Sequence, residues 1–300
     1  MGRPLKAFVV ILALCLTTGG VQAQDRPRIV AVNYALQYFA ERLVGDVADV
    51  VFPVPDSIDP SFWRPSIADI SMIQSADLIL LNGAGFATWI DRVSLPRSRL
   101  VNTSAAIEDR FIVTESITHS HGDGGEHSHD GLASYTWLDP TLAIEQAAAI
   151  AGAVSAKNLA SPEDVFANFA DLRADLEELD AQAATELEAA QGVALISTHP
   201  RYEYFAQRYG LSIAALEWEA GAAPTEAQIG ELQALVDETG AGILIWEAEP
   251  PSESIDAASA LGLKSVVFDP LARAEPSGPY IEAYMRAVTE IAAAAALSSN

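Results

Sequence analysis

Residues 161–192 read SPEDVFANFADLRADLEELDAQAATELEAAQG, one long helical stretch in the middle of the chain. Ser161 stands as N-cap, Pro162 takes the first helical position, and Asp164 completes a start resembling a capping box. Gly192 stops the run. A helix over 162–190 would hold about 29 residues and measure roughly 43 Å at the usual rise. Strands and helices alternate on both sides of it. The expected architecture is therefore α/β, with two lobes, each a mostly parallel sheet flanked by helices, joined by one rigid rod. A long amphipathic element inside a single domain is the alternative.

Upstream, the apolar stretches 28–34, 47–54, 76–81 and 100–102 read as strands, with a helix over 35–43. Downstream, 193–197, 211–216, 242–246 and 265–268 read the same way, with helices between them. One of those helices opens at Thr225 with Gln228 three residues on, and a last one covers 280–296. Helical periodicity also covers 142–156. Runs rich in leucine and β-branched residues, set between helices, suit parallel sheets covered on both faces. The expected boundaries are 24–160 for the first lobe, 161–191 for the linking helix and 192–300 for the second lobe.

Residues 1–23 read as an address. Arg3 and Lys6 precede an apolar run over 7–16, and Val21-Gln22-Ala23 suits cleavage after Ala23. The run is too short to anchor in a bilayer, so the chain is expected to be exported to the periplasm. Cys15 is the single cysteine and falls inside this segment, which leaves the mature chain without disulfides or thiolate ligands. The full chain carries 17 basic and 41 acidic residues, a net charge of −24, and loss of two basic residues with the leader makes that −26. Such a surface argues against nucleic acid or anionic membrane as partner.

Four of the five histidines fall in the low-complexity stretch 119–131, HSHGDGGEHSHDG: His119, His121, His127 and His129. Two H-x-H pairs around a Gly-rich acidic centre can wrap a cation, and imidazole suits zinc, copper or nickel. The fifth, His199, follows the apolar strand at 193–197, where α/β sheets place their ligands. Glu247 follows the strand at 242–246 and Asp269 the strand at 265–268. One His and neighbouring carboxylates make an incomplete shell for a transition metal.

Several short motifs resemble the metal-binding solute receptors of zinc and manganese ABC importers, the ZnuA/TroA-like group. They are Asp59-Pro60 with Phe62, Pro65 and Ile70; Ala76-Asp77-Leu78-Ile79 with Asn82-Gly83-Ala84-Gly85; Trp137-Leu138-Asp139-Pro140; Tyr209-Gly210-Leu211; and Asp269-Pro270-Leu271. The resemblance spans nearly the whole mature chain. It implies two α/β lobes on one long helix and four metal ligands in the cleft. His199 and Asp269 match the third and fourth ligand positions, whereas Ser61 and Tyr135 stand where the family usually has histidine. Either the His-rich loop folds into the cleft and supplies the missing imidazoles, with His199, Asp269 and Glu247, or the loop is a separate buffer. The first is preferred on the count of donors that zinc demands.

The expected function is capture of a divalent metal and delivery to an ABC permease of the inner membrane, by a monomer without enzymatic activity. Zinc is the expected cargo, with manganese, copper and iron as alternatives. A periplasmic metal chaperone or buffer uncoupled from a permease is the rival reading. A metallohydrolase is disfavoured, because no H-E-x-x-H, G-x-S-x-G or phosphate-binding glycine loop occurs.

Overall fold

A computed structural model describes residues 26–114, 118–121, 125–128, 131–273 and 278–298. The proposed leader 1–23 lies outside them. The chain opens with β1 (Arg28–Ala31), α1 (Tyr34–Val44) and β2 (Asp49–Val51), followed by α2 (Ile67–Ser75), β3 (Leu78–Leu81) and β4 (Leu100–Asn102). The four strands are parallel in the order β2-β1-β3-β4. Ile29, Val30, Leu78, Ile79 and Leu80 are buried, as expected for strands covered on both faces. The first strand ends sooner than the apolar run because Asn33 turns away to cap α1, its side chain accepting the Leu36 N–H. A complete capping box between Ser66 and Asp69 starts α2.

Next, β5 (Thr118–His121) and β6 (Gly125–Ser128) pair antiparallel, with residue 119 opposite 127. A bridge between Val113 and Leu132 closes the base of this hairpin. The low-complexity stretch, expected as a loop, forms a ladder here, and its H-x-H alternation has the period of two that a ladder needs. Then come α3 (Pro140–Ala156) and α4 (Pro162–Glu186).

Helix α4 is the expected long helix, with Ser161 Oγ accepting the Asp164 N–H and Pro162 in the first turn. Its last residues, Leu187–Ala190, tighten into a 3-10 turn, which helps satisfy carbonyls that have no partner further on. Val165, Leu172, Leu176, Leu179 and Ala183 are buried along one face. Spacings of three, four and seven residues put them on one stripe. That stripe packs on α1, α3 and the C-terminal helix, so the helix is a spine seated in the core and not a free rod.

The second half contains β7 (Ala194–Ser197), α5 (Glu203–Tyr209), β8 (Ser212–Ala215), α6 (Glu226–Thr239), β9 (Ile243–Trp246), α7 (Ser252–Ala260), β10 (Lys264–Val267) and α8 (Tyr280–Ser298). Its parallel sheet runs β10-β9-β7-β8. Read from the other edge, the order is second, first, third, fourth, the same as in the first sheet. Among the described residues no helix is long and apolar enough to cross a membrane.

The two halves are pinned together at the W-L-D-P and D-P-L motifs. Trp137 Nε1 donates to the Pro270 carbonyl at 2.8 Å. The hydroxyls of Tyr280 and Tyr284, both on α8, donate to the Trp137 and Leu138 carbonyls. The Tyr34 N–H donates to the Ala272 carbonyl at 2.9 Å. All of these aromatic side chains are buried, so the bonds are shielded from water.

Candidate metal centre

In a doubly wound sheet the first and third strands leave in opposite directions, and a crevice opens beyond their carboxyl ends. In the second sheet these strands are β7 and β9, and the residues just beyond them are Thr198-His199 and Glu247. The Thr198 N–H donates to the Ile245 carbonyl, and the Glu247 N–H to Thr198 Oγ1 at 3.1 Å. Ser197 Oγ donates to the His199 carbonyl at 2.9 Å. These bonds fix both strand ends before any ligand arrives.

His199 is buried, with Nδ1 3.0 Å from the Trp218 carbonyl oxygen. A carbonyl can only accept, so Nδ1 carries the proton and Nε2 is the nitrogen with a lone pair for a metal. Glu247 Oε2 lies 4.0 Å from His199 Nδ1, and Glu247 is buried as well. Burial pushes the Glu247 carboxyl up to about 7, against the pull of Arg201 and Arg273. Burial likewise raises Asp269 above the usual aspartate range. Its Oδ1 accepts the Leu271 N–H at 2.8 Å, and its Oδ2 lies 3.9 Å from Arg273.

The facing wall comes from the loop after β2 and the turn before α3. Asp59 Oδ1 accepts the Ser61 N–H at 2.8 Å, which tightens the loop. Ser61 Oγ and the Tyr135 hydroxyl are 3.3 Å apart, and both residues are buried. Burial holds the Tyr135 phenol well above its ordinary range, so it stays neutral. Arg201, two residues after His199, fills the space between the walls. Its guanidinium sits 4.7 Å from the centre of the Tyr135 ring, 2.7 Å from Asp59 Oδ2 and 3.6 Å from Glu247 Oε1. It is 2 % exposed, which makes it a buried cation bridging the two walls.

The structure thus brings His199 and Glu247 together, and Ser61 and Tyr135 together, with Arg201 between the pairs. Asp269, 3.9 Å from Arg273, also lines a cavity of about 150 Å³ with Glu249, Arg286 and Glu290. Sheet order sets β10 directly beside β9, the strand of Glu247, and two strands from β7, ~10 Å at the usual spacing. Among the described residues no group of three His, Asp or Glu side chains is close enough to hold a metal as it stands. His119, His121 and His127 lie on the β5–β6 hairpin, and His129 lies outside the described residues. Sequence reasoning did not single out Asp59, Arg201, Trp218 or Arg273 for the site, although all four line the same cavity of about 300 Å³ as His199 and Glu247. Arg201 carried one signal, a position in the same strand-end turn as His199, and Asp59 another, its place in the Asp59-Pro60 motif.

A family model described as the periplasmic zinc-uptake complex component A matches residues 29–294. The high-affinity zinc uptake system protein ZnuA of Bacillus subtilis is 27% identical over 279 residues, covering 89% of this chain and 86% of that protein. The zinc-binding lipoprotein AdcA of Streptococcus pneumoniae is 26% identical over 275 residues, covering 89% of this chain and 54% of AdcA, so this chain spans about half of that longer protein. The crystal structure of Zn(II)-bound AdcA from the same organism superposes with a TM-score of 0.76 at 21% identity, over 90% of this chain and 58% of that one. That likeness speaks to the fold: two parallel-sheet α/β lobes and one long helix. With the family model matching from β1 into α8, this chain belongs to the ZnuA family of periplasmic zinc-uptake components.

Proposed function

We propose that this chain is a periplasmic receptor that captures zinc and hands it to the permease of an ABC importer, acting as a monomer and catalysing no reaction. Cleavage after Ala23 releases it, leaving lobes at 24–160 and 192–300 around the helix at 161–191. Membership of the zinc-uptake family over residues 29–294 is the observation that carries this reading. In the cleft, His199 through Nε2 is the central ligand, with Glu247 beside it and Asp269 reached by movement of the Asp269-Pro270-Leu271 turn. Ser61 and Tyr135 act as the wall on which Arg201 packs. His119, His121 and His127 on the hairpin, whose ladder sets 119 opposite 127, bind metal together with His129. We assign these residues to first capture.

Uptake of radioactive zinc into cells is the direct test. Deleting the chain should lower high-affinity uptake, and the wild-type chain should restore it while His199→Ala does not. Uptake that is indifferent to the deletion would sink the importer reading and leave a free-standing buffer. Removal of residues 119–129 should lower zinc stoichiometry while keeping the binding event that depends on His199.

A further inference from the structure

By formal charge the cleft suits a bare divalent cation. Asp59, Glu219 and Glu247 line it and Asp269 stands beside Arg273, so four carboxylates face the two guanidiniums of Arg201 and Arg273. One of those two positive charges is already seated where the walls meet. Arg201 is buried, 2.7 Å from Asp59 Oδ2 and 3.6 Å from Glu247 Oε1, with its guanidinium 4.7 Å from the centre of the Tyr135 ring and 5.8 Å from that of Phe62. Asp59, Phe62 and Tyr135 belong to one wall and Glu247 to the other. The guanidinium therefore joins the walls in the way a cargo cation would.

Its two ionic contacts are unequal. The one with Asp59 is a charge-assisted hydrogen bond. The one with Glu247 runs from Nε, which is buried and makes no hydrogen bond. Glu247 is thus the partner that Arg201 can yield while Asp59 keeps it anchored. Glu247 is also the carboxylate beside the histidine, with Oε2 4.0 Å from His199 Nδ1. A metal held by His199 and Glu247 must share that carboxylate with a fixed positive charge. No relevant pH removes the charge from a guanidinium. Burial leaves little water to screen the repulsion between it and a divalent ion.

We propose that Arg201 is a resident competitor of the cargo. It occupies Glu247 in the empty cleft, is driven off that carboxylate when zinc binds, and returns when zinc leaves. Affinity is thereby held below what the cleft's donors alone would give, which favours release of the ion. This rests on the receptor reading above and concerns the regulation of that site.

Calorimetric zinc titration of the full mature protein tests it, following only the binding event that His199→Ala removes. Arg201→Gln should tighten that event about tenfold, because Glu247 is then free for the metal. A purely structural role for Arg201 could only weaken it. Asp59→Asn combined with Arg201→Gln removes one charge of each sign, so the net charge of the cleft stays the same and Asp59 is not left as an unpaired carboxylate. This double variant should also bind zinc about threefold or more tighter than the wild type. If Arg201→Gln fails to fold, the double variant decides alone. Unchanged or weaker binding in the double variant would overturn the proposal, since any gain in Arg201→Gln would then report net charge only. A folded Arg201→Gln that binds no tighter than the wild type would overturn it too. In both cases the receptor reading stands, because His199→Ala still removes a zinc event. If His199→Ala alters no event, that reading fails and the proposal with it.

Discussion

The two sheets share one strand order, yet the crevices beyond their first and third strands are filled in opposite ways. Beyond β1 and β3 stand Asn33 and Asn82, both fully buried. Asn82 donates to the Ser134 carbonyl at 2.9 Å, and Gln146 Nε2 reaches Asn82 Oδ1, Thr103 and Ser104 within 3.2 Å. Gly83 lets the chain pass, since a Cβ there would sit 2.3 Å from Asn102 Oδ1. That crevice is a closed amide network which positions the turn carrying Tyr135. Beyond β7 and β9 stand His199 and Glu247, ionisable groups on an open cavity. One topology therefore carries a closed polar network in one lobe and ionisable groups on an open cavity in the other. Chemistry here is set by which side chains occupy the switch point and not by the fold.

Substitutions at matching positions can break that contrast. Asn82→Ala should have the largest effect on stability, about 3 kcal/mol by urea unfolding, because it strands Gln146 and the Ser134 carbonyl in the core. Its folded fraction should bind zinc like the wild type, and an equal loss of affinity would erase the distinction between the crevices. His199→Ala should do the reverse: zinc affinity in the cleft falls about 100-fold, while the metal-free protein loses at most about 1 kcal/mol. Calorimetric titration beside a denaturant curve separates the two quantities. Glu247→Gln should weaken cleft binding about tenfold, since it keeps an oxygen donor but removes the charge. An unchanged constant would place the carboxylate outside the metal's reach. The smallest effect is expected from Ser61→Ala. Its hydrogen bond to Tyr135 is long, so the change should cost less than about 1 kcal/mol and leave zinc affinity within about twofold. A larger drop in affinity would return Ser61 to the ligand set.

The fold was legible wherever local signals and burial agree. The caps at Ser161 and Thr225 lie where their side chains were expected to act, and all eight strands of the two sheets fall inside or overlap the apolar runs. Strand ends were less legible, since Val32 and Tyr34 could continue β1 but Asn33 between them is needed to cap α1. The site was half legible. His199 and Glu247 follow from one rule, that ligands gather beyond strand ends, and they do stand together. Asp269 obeys the same rule on β10, beside the strand of Glu247 and two strands from that of His199, and strand order is not written in the sequence around it. Arg201 was missed because its role depends on reaching Asp59, 142 positions earlier in the chain. No local pattern encodes such a span.

The bonds that tie Trp137 to Pro270 and Tyr280 to Trp137 have a mechanical outcome. A receptor stitched along the line where its lobes meet has no free jaw, and filling the cleft cannot swing one lobe against the other by much. Loaded and empty molecules then share nearly one silhouette. Whatever reads such a molecule from outside would then have to read the rim of the cleft, where Asp59, Arg201 and Arg273 hold their charges, by electrostatics and not by outline.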